Sequence, residues 1–114
     1  MHSKTCLRDD LAVVTLSGSL DATVSGELRL ALQQALSRGV RALILDLSAV
    51  SFVDSSGLAA LVSILKAART RQAEVALCSL ALPVRTVLEL TRLDRVFDIY
   101  ADVDQAQAAQ DDRA

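Results

Sequence analysis

The sequence predicts an α/β domain with a mostly parallel sheet of four to five strands and about four helices packed against it. Three observations carry that expectation. Strand-like apolar runs alternate with stretches of helical periodicity along the 114 residues. One run, Ala42–Leu47 (ALILDL), is almost continuously apolar, which suits a central parallel strand covered on both faces. Hydrophobic residues make up 52% of the chain, mostly Leu, Val and Ala, enough for one core at a length that fits one domain. Residues 1–114 are therefore read as a single domain, with a core over about 8–108 and frayed termini.

The elements follow in order. A short strand is expected over Lys4–Arg8. Leu11–Leu16 (LAVVTL), rich in β-branched residues, is a second strand, stopping at the turn signal Ser17-Gly18. From Ala22 to Ser37 the residues Leu28, Ala31, Leu32, Ala35 and Leu36 form a helical stripe. Asp21 or Thr23 is placed to cap its start, and Gly39 lies just past its end, where a left-handed residue is wanted. Strand Ala42–Leu47 carries one polar residue, Asp46, read as holding the following loop through backbone amides with help from Ser48. Asp54 is an N-cap candidate for a helix with Leu58, Leu61, Val62, Leu65 and Ala68 on one stripe. Glu74–Cys78 is the next strand, with Cys78 packing as a small hydrophobe. Pro83 opens a third helix, where its missing N–H costs nothing, and Val84, Val87, Leu88 and Thr91 line it. The preceding Ser79–Leu82 is apolar enough to be either an exposed partner patch or an extension of the core. Val96–Tyr100 is a last strand, and Asp102 with Gln105 forms a capping box for a terminal helix. The tail from Gln110 to Ala114 is expected to fray. No repeat, linker or low-complexity segment interrupts the pattern.

Composition narrows the function. A formal charge of −2 leaves no electrostatic footprint for nucleic acid. Aromatics are 3% with no Trp, which removes base-stacking platforms. The one histidine is His2, so the commonest general base and metal ligand is nearly missing. Cys6 and Cys78 lie far apart and make no disulfide framework. Met1–Asp10 is polar, with no apolar stretch of a signal peptide, and longer apolar runs are broken well before 18 residues. No direct membrane insertion is expected, and the expected location is cytoplasmic. Working residues of open α/β sheets collect beyond the carboxyl ends of the strands. Here those ends hold Ser17, Asp21, Asp46, Ser48, Asp54, Ser55, Ser56 and Ser79. A nucleophilic serine would need a base within reach, and no GxSxG elbow is present. The glycines Gly18, Gly26, Gly39 and Gly57 form no phosphate loop, and the carboxylates have no metal-ligand spacing. No catalytic residue, metal or cofactor is expected.

The Asp54-Ser55-Ser56-Gly57 turn is the remaining candidate. Read from its residues, it is either a plain helix cap or a small-side-chain surface that another protein approaches. A glycine so early in a helix costs about 1 kcal/mol relative to Ala, which calls for a steric or backbone reason.

Segment Ala42–Leu61 (ALILDLSAVSFVDSSGLAAL) resembles the signature of STAS domains, specifically of bacterial anti-sigma factor antagonists. Leu16–Asp21 (LSGSLD) is similar to that family's G-x-L-D turn, and Leu88–Phe97 (LELTRLDRVF) to its L-x-L-T-G-L-D-x-x-F segment. Arg92 stands where the family has a helix-terminating Gly, so the turn there is expected to avoid the left-handed region or to be slightly strained. The resemblance implies that Ser56 is phosphorylated by a partner kinase that is itself the anti-sigma factor. It also implies a partner-binding surface of Asp21, Asp54, Ser55, Ser56 and Gly57, with binding lost on phosphorylation and restored by a serine phosphatase. A monomer alternating between partners is the simplest state. Two alternatives stand beside this. One is a STAS docking subunit of a membrane-transport complex (ABC-type lipid or anion), never phosphorylated. The other is a small-ligand or nucleotide sensor, which requires a formed pocket at the strand ends.

Overall fold

A computed structural model describes residues 1–112. In chain order the elements are β1 (His2–Arg8), β2 (Leu11–Leu20), α1 (Ser25–Leu36), β3 (Ala42–Val53), α2 (Ser55–Thr70), β4 (Glu74–Cys78), α3 (Leu82–Leu90), a single 3₁₀ turn (Leu93–Arg95), β5 (Asp98–Tyr100) and α4 (Val103–Asp112). The strands lie in the order β1-β2-β3-β4-β5. β1 runs antiparallel to β2, and every other neighbouring pair is parallel.

That order decides where the helices go. From β2 onward each strand is added on the same side of the last, so right-handed crossovers put the three connecting helices on one face. Their buried residues do share one core: Leu28, Leu32 and Leu36 of α1, Leu61 and Ile64 of α2, and Val84 and Leu88 of α3 pack with Val14, Leu16, Leu43, Leu45 and Leu77 of the strands. The intervening residues, Leu11, Val13, Ala42, Ile44, Ala76 and Cys78, face the opposite way and are covered by α4 through Ala106. β3 is thus buried on both faces, as its apolar run requires, and Cys78 packs as a small hydrophobe.

Several expectations are corrected. β2 and β3 do not stop at Leu16 and Leu47 but continue to Leu20 and Val53. Two register shifts, between Thr15 and Ser17 and between Gly18 and Ser19, each oppose an additional β3 residue to the ladder. These bulges change the spacing of inward residues on β3 from two to three, so that Leu47, Val50 and Val53 are buried while Ser48, Ala49, Ser51 and Phe52 are exposed. Ser17-Gly18 is therefore not a turn; Gly18 takes φ +93° inside the strand at the second bulge. The Asp46 carboxylate accepts from the Ser48 amide at 3.0 Å and so secures the first bulge, the backbone role expected of it.

The first strand is longer than Lys4–Arg8, spanning His2–Arg8 with every residue exposed. β5 is shorter than expected because the amides of Val96 and Phe97 donate back to the Leu93 carbonyl, at 3.0 and 3.1 Å, instead of extending the strand. Arg92 is left-handed (φ 62°), so the turn is of the strained kind. The tail does not fray at Gln110, which is 1% exposed within α4. Arg41 holds that end, donating to the Gln110 carbonyl at 2.8 Å and pairing with Asp10 at 2.7 Å and Asp111 at 3.4 Å. Residues 113 and 114 of the expected fray lie outside the described residues. The Ser79–Leu82 segment divides: Leu80 packs on the core, whereas Leu82 is exposed at the start of α3.

Candidate functional site

The last paired residues of β2 and β3 are Leu20 and Val53. Neighbouring strands lie about 4.8 Å apart, so the residues that follow, Asp21 and Asp54, leave adjacent strand ends. Asp54 is extended (φ −104°, ψ −173°), and its Oδ1 accepts from the amides of Ser56 at 2.9 Å and Gly57 at 3.0 Å. It caps α2 as expected, satisfying two of the free donors of the first turn. Its own amide donates to the Leu20 carbonyl at 3.1 Å, tying the start of α2 to the end of β2.

Gly57 completes that junction. It is buried, and a Cβ there would overlap the Leu20 carbonyl oxygen and stand 2.9 Å from the carbonyl carbon. The glycine therefore serves close packing of helix on strand; it faces inward, and the outer surface of the turn is made by its neighbours. Ser55 is exposed and Ser56 half-buried. Among the described residues neither hydroxyl is engaged in a hydrogen bond.

Neither Asp21 nor Thr23 caps α1, contrary to expectation. α1 begins at Ser25 after Val24, with no side-chain cap. The Asp21 carboxylate is instead committed to Thr23, whose hydroxyl donates at 2.6 Å and whose amide donates at 3.0 Å. The Thr23 hydroxyl bond is the main cause that holds the Asp21 carboxyl below its ordinary value; desolvation opposes it, and the Thr23 and Val24 amides lower it further by less. Asp21 and Asp54 thus follow paired strand ends, with Ser55 and Ser56 directly after Asp54. The Arg41 ion pairs lie at the opposite end of β3, near Asp10 and Gln110.

The other strand-end residues do not join this site. β4 ends with Cys78 opposite Asp46, so Ser79, Asp46 and Ser48 sit well before the end of β3. Burial pushes the Cys78 thiol up to about 11, with the charges of Asp46 and Asp102 adding to it and a Ser79 hydrogen bond opposing. No group of three or more His, Cys, Asp or Glu side chains suited to a metal occurs among the described residues. A cavity of about 340 Å³ opens between α1 and α2, lined by Gln33, Gln34, Leu36, Ser37, Ala67 and Arg71, none of which belongs to the strand-end site. No helix of the described residues is long and apolar enough to cross a membrane.

Sequence reasoning missed two contributors. The Leu20 carbonyl, which both accepts from Asp54 and dictates Gly57, leaves no mark in a one-dimensional pattern. Phe52, 51% exposed just before the turn, was hidden because the bulges disguise its strand.

The family profile described as STAS domain matches residues 4–106 of this chain. The chain belongs to the STAS domain family. Over 89 residues this STAS domain is 32% identical to the anti-sigma F factor antagonist of Paenibacillus polymyxa, covering 77% of this chain and 76% of that protein. Among solved structures, an anti-sigma factor antagonist from Mycobacterium paratuberculosis matches with a TM-score of 0.86 at 28% identity, over 95% of this chain and 92% of the other. SpoIIAA of Bacillus, solved in its phosphorylated form, shares the STAS fold with a TM-score of 0.71 at 17% identity, over 95% of this chain and 99% of the other. The Asp54-Ser55-Ser56-Gly57 turn, capped by its own aspartate, opens α2 of this STAS domain.

Proposed function

We propose that this STAS domain is an anti-sigma factor antagonist whose unphosphorylated form binds an anti-sigma factor that is also a serine kinase, releasing the sigma factor. Phosphorylation of Ser56 switches that binding off, and a serine phosphatase restores it. The observation that carries this reading is the turn itself: unengaged hydroxyls at Ser55 and Ser56 on a rigid, Asp54-capped helix start, beside Asp21. Likeness to the Paenibacillus polymyxa antagonist supports it.

The chain is the substrate of the switch. The Ser56 Oγ–phosphorus bond forms as the bond from the γ-phosphorus of ATP to its bridging oxygen breaks. ADP leaves, and the serine proton passes to a base on the kinase. Phosphorylation adds about −1.5 to −2 charges at pH 7. The Ser56 and Gly57 amides already bind Asp54, so the new charge has no free donor pair at the helix start. It stands next to Asp21 and Asp54 and presents a desolvation cost and like-charge repulsion to any partner that fitted the neutral serine. The domain itself stays folded because no structural hydrogen bond depends on the Ser56 hydroxyl. Binding of the Ser56→Asp variant to the kinase is therefore expected to fall at least tenfold with the melting temperature within a few degrees of wild type. A collapse of the melting temperature would make Ser56 a structural residue and remove the switch.

A further inference from the structure

β3 outruns the sheet. Its pairing with β4 ends at Asp46, while its pairing with β2 continues to Val53. From Leu47 to Val53 the side of β3 away from β2 has no strand neighbour among the described residues. Along this overhang Ser48, Ala49 and Ser51 are small and exposed, and Phe52 rises among them, 51% exposed. The fold makes no demand for an aromatic ring there, since Val50 and Val53 fill the core on either side. Of the chain's two phenylalanines the other, Phe97, is buried. Phe52 pairs with Ser19 of β2, which places it at the level where both strands turn into Asp21 and Asp54.

We propose that Phe52, standing on the open β3 overhang, is the apolar anchor by which the anti-sigma partner seats on this domain. The partner surface it fits is an apolar pocket that takes the ring, with basic groups placed to meet the carboxylates of Asp21 and Asp54 and an acidic group facing the neutral Ser56 hydroxyl, which a phosphate there would repel. This rests on the reading of the chain as an antagonist, and it divides the work of that site. The ring supplies contact that phosphorylation leaves untouched, and Ser56 supplies the charge that breaks the complex. Aromatic side chains ringed by small, water-excluding neighbours are the usual carriers of interface energy.

The test uses the full chain and each recombinant anti-sigma kinase of the source organism, with binding followed by calorimetry and Ser56 phosphorylation by mass spectrometry. Phe52→Ala is expected to weaken binding at least tenfold and to raise KM for phosphorylation with kcat little changed, while the thermal melt stays within a few degrees. Phe52→Leu recovers part of the affinity. The Phe52 effect persists at high salt, whereas the effect of Asp21→Asn shrinks, because only the second is screened. Wild-type binding that Phe52→Ala leaves unaltered overturns the anchor and leaves the antagonist reading standing. A wild-type chain that binds none of the kinases overturns both. Loss of binding together with a lowered melting temperature in both Phe52 variants assigns the ring to the fold and also overturns the anchor.

Discussion

Gly57 is governed by two opposed preferences. Alanine is the better helix former by about 1 kcal/mol, but the Cβ of Gly57→Ala would press on the Leu20 carbonyl, which is backbone and cannot turn aside. Overpacking of this kind costs roughly 1–3 kcal/mol. A net loss of about 1 kcal/mol is expected for Gly57→Ala in urea unfolding; a gain would show that the junction yields. Asp21 owes its lowered pKa chiefly to the Thr23 hydroxyl. Thr23→Val should move the Asp21 carboxyl up toward its ordinary range in a side-chain carbon NMR titration. A depressed folded value means that Asp21 contributes stability above its unfolded pKa and loses it as pH falls through the folded one, so the variant should show a weaker acid dependence. Cys78 has the opposite sign. Its thiol is raised from 9.0 to about 11, so the folded state keeps it neutral and stability declines as pH climbs from 9 toward 11. A thiol reagent should label exposed Cys6 in the native chain and reach Cys78 only on unfolding.

At the scale of elements, how much was legible depended on how local the cause was. The Asp54 cap and the Asp102 cap, which accepts from the Gln105 amide at 2.8 Å, could be read directly because cap and donor lie within three residues. The second half of β3 could not. Its buried residues Leu47, Val50 and Val53 repeat every three positions, neither the period of a strand nor that of a helix, because the bulges depend on where β2 lies. The start of α1 was misplaced for a related reason: Asp21 has the chemistry of a cap but spends its carboxylate on Thr23. The turn after α3 was legible in part: a non-glycine at Arg92 left either a turn outside the left-handed region or a strained one, and the structure takes the second. A left-handed non-glycine residue costs about 1–2 kcal/mol. Arg92→Gly is therefore expected to raise stability by up to about 1 kcal/mol, measured as an upward shift of the urea midpoint at unchanged slope.

At the scale of the whole molecule, the turn stands at the ends of the two longest strands. Three helices on one face and α4 on the other hold the sheet, and the two longest strands carry the Asp21 and Asp54 ends past it. The formal charge of −2 makes one phosphate a large change, taking the total to about −4. On the proposed switch that charge would arrive where the Ser56 and Gly57 amides already bind Asp54, and its effect would fall on the partner and not on the fold. Incubation of the full chain with its anti-sigma kinase and ATP, followed by mass-spectrometric site mapping, tests this most directly. The account predicts a single phosphate on Ser56 that Ser56→Ala abolishes and that releases the chain from the kinase. Transfer to Ser55 instead, or none from any anti-sigma kinase of the source organism, would contradict it, and the second outcome would favour a docking subunit that is never phosphorylated.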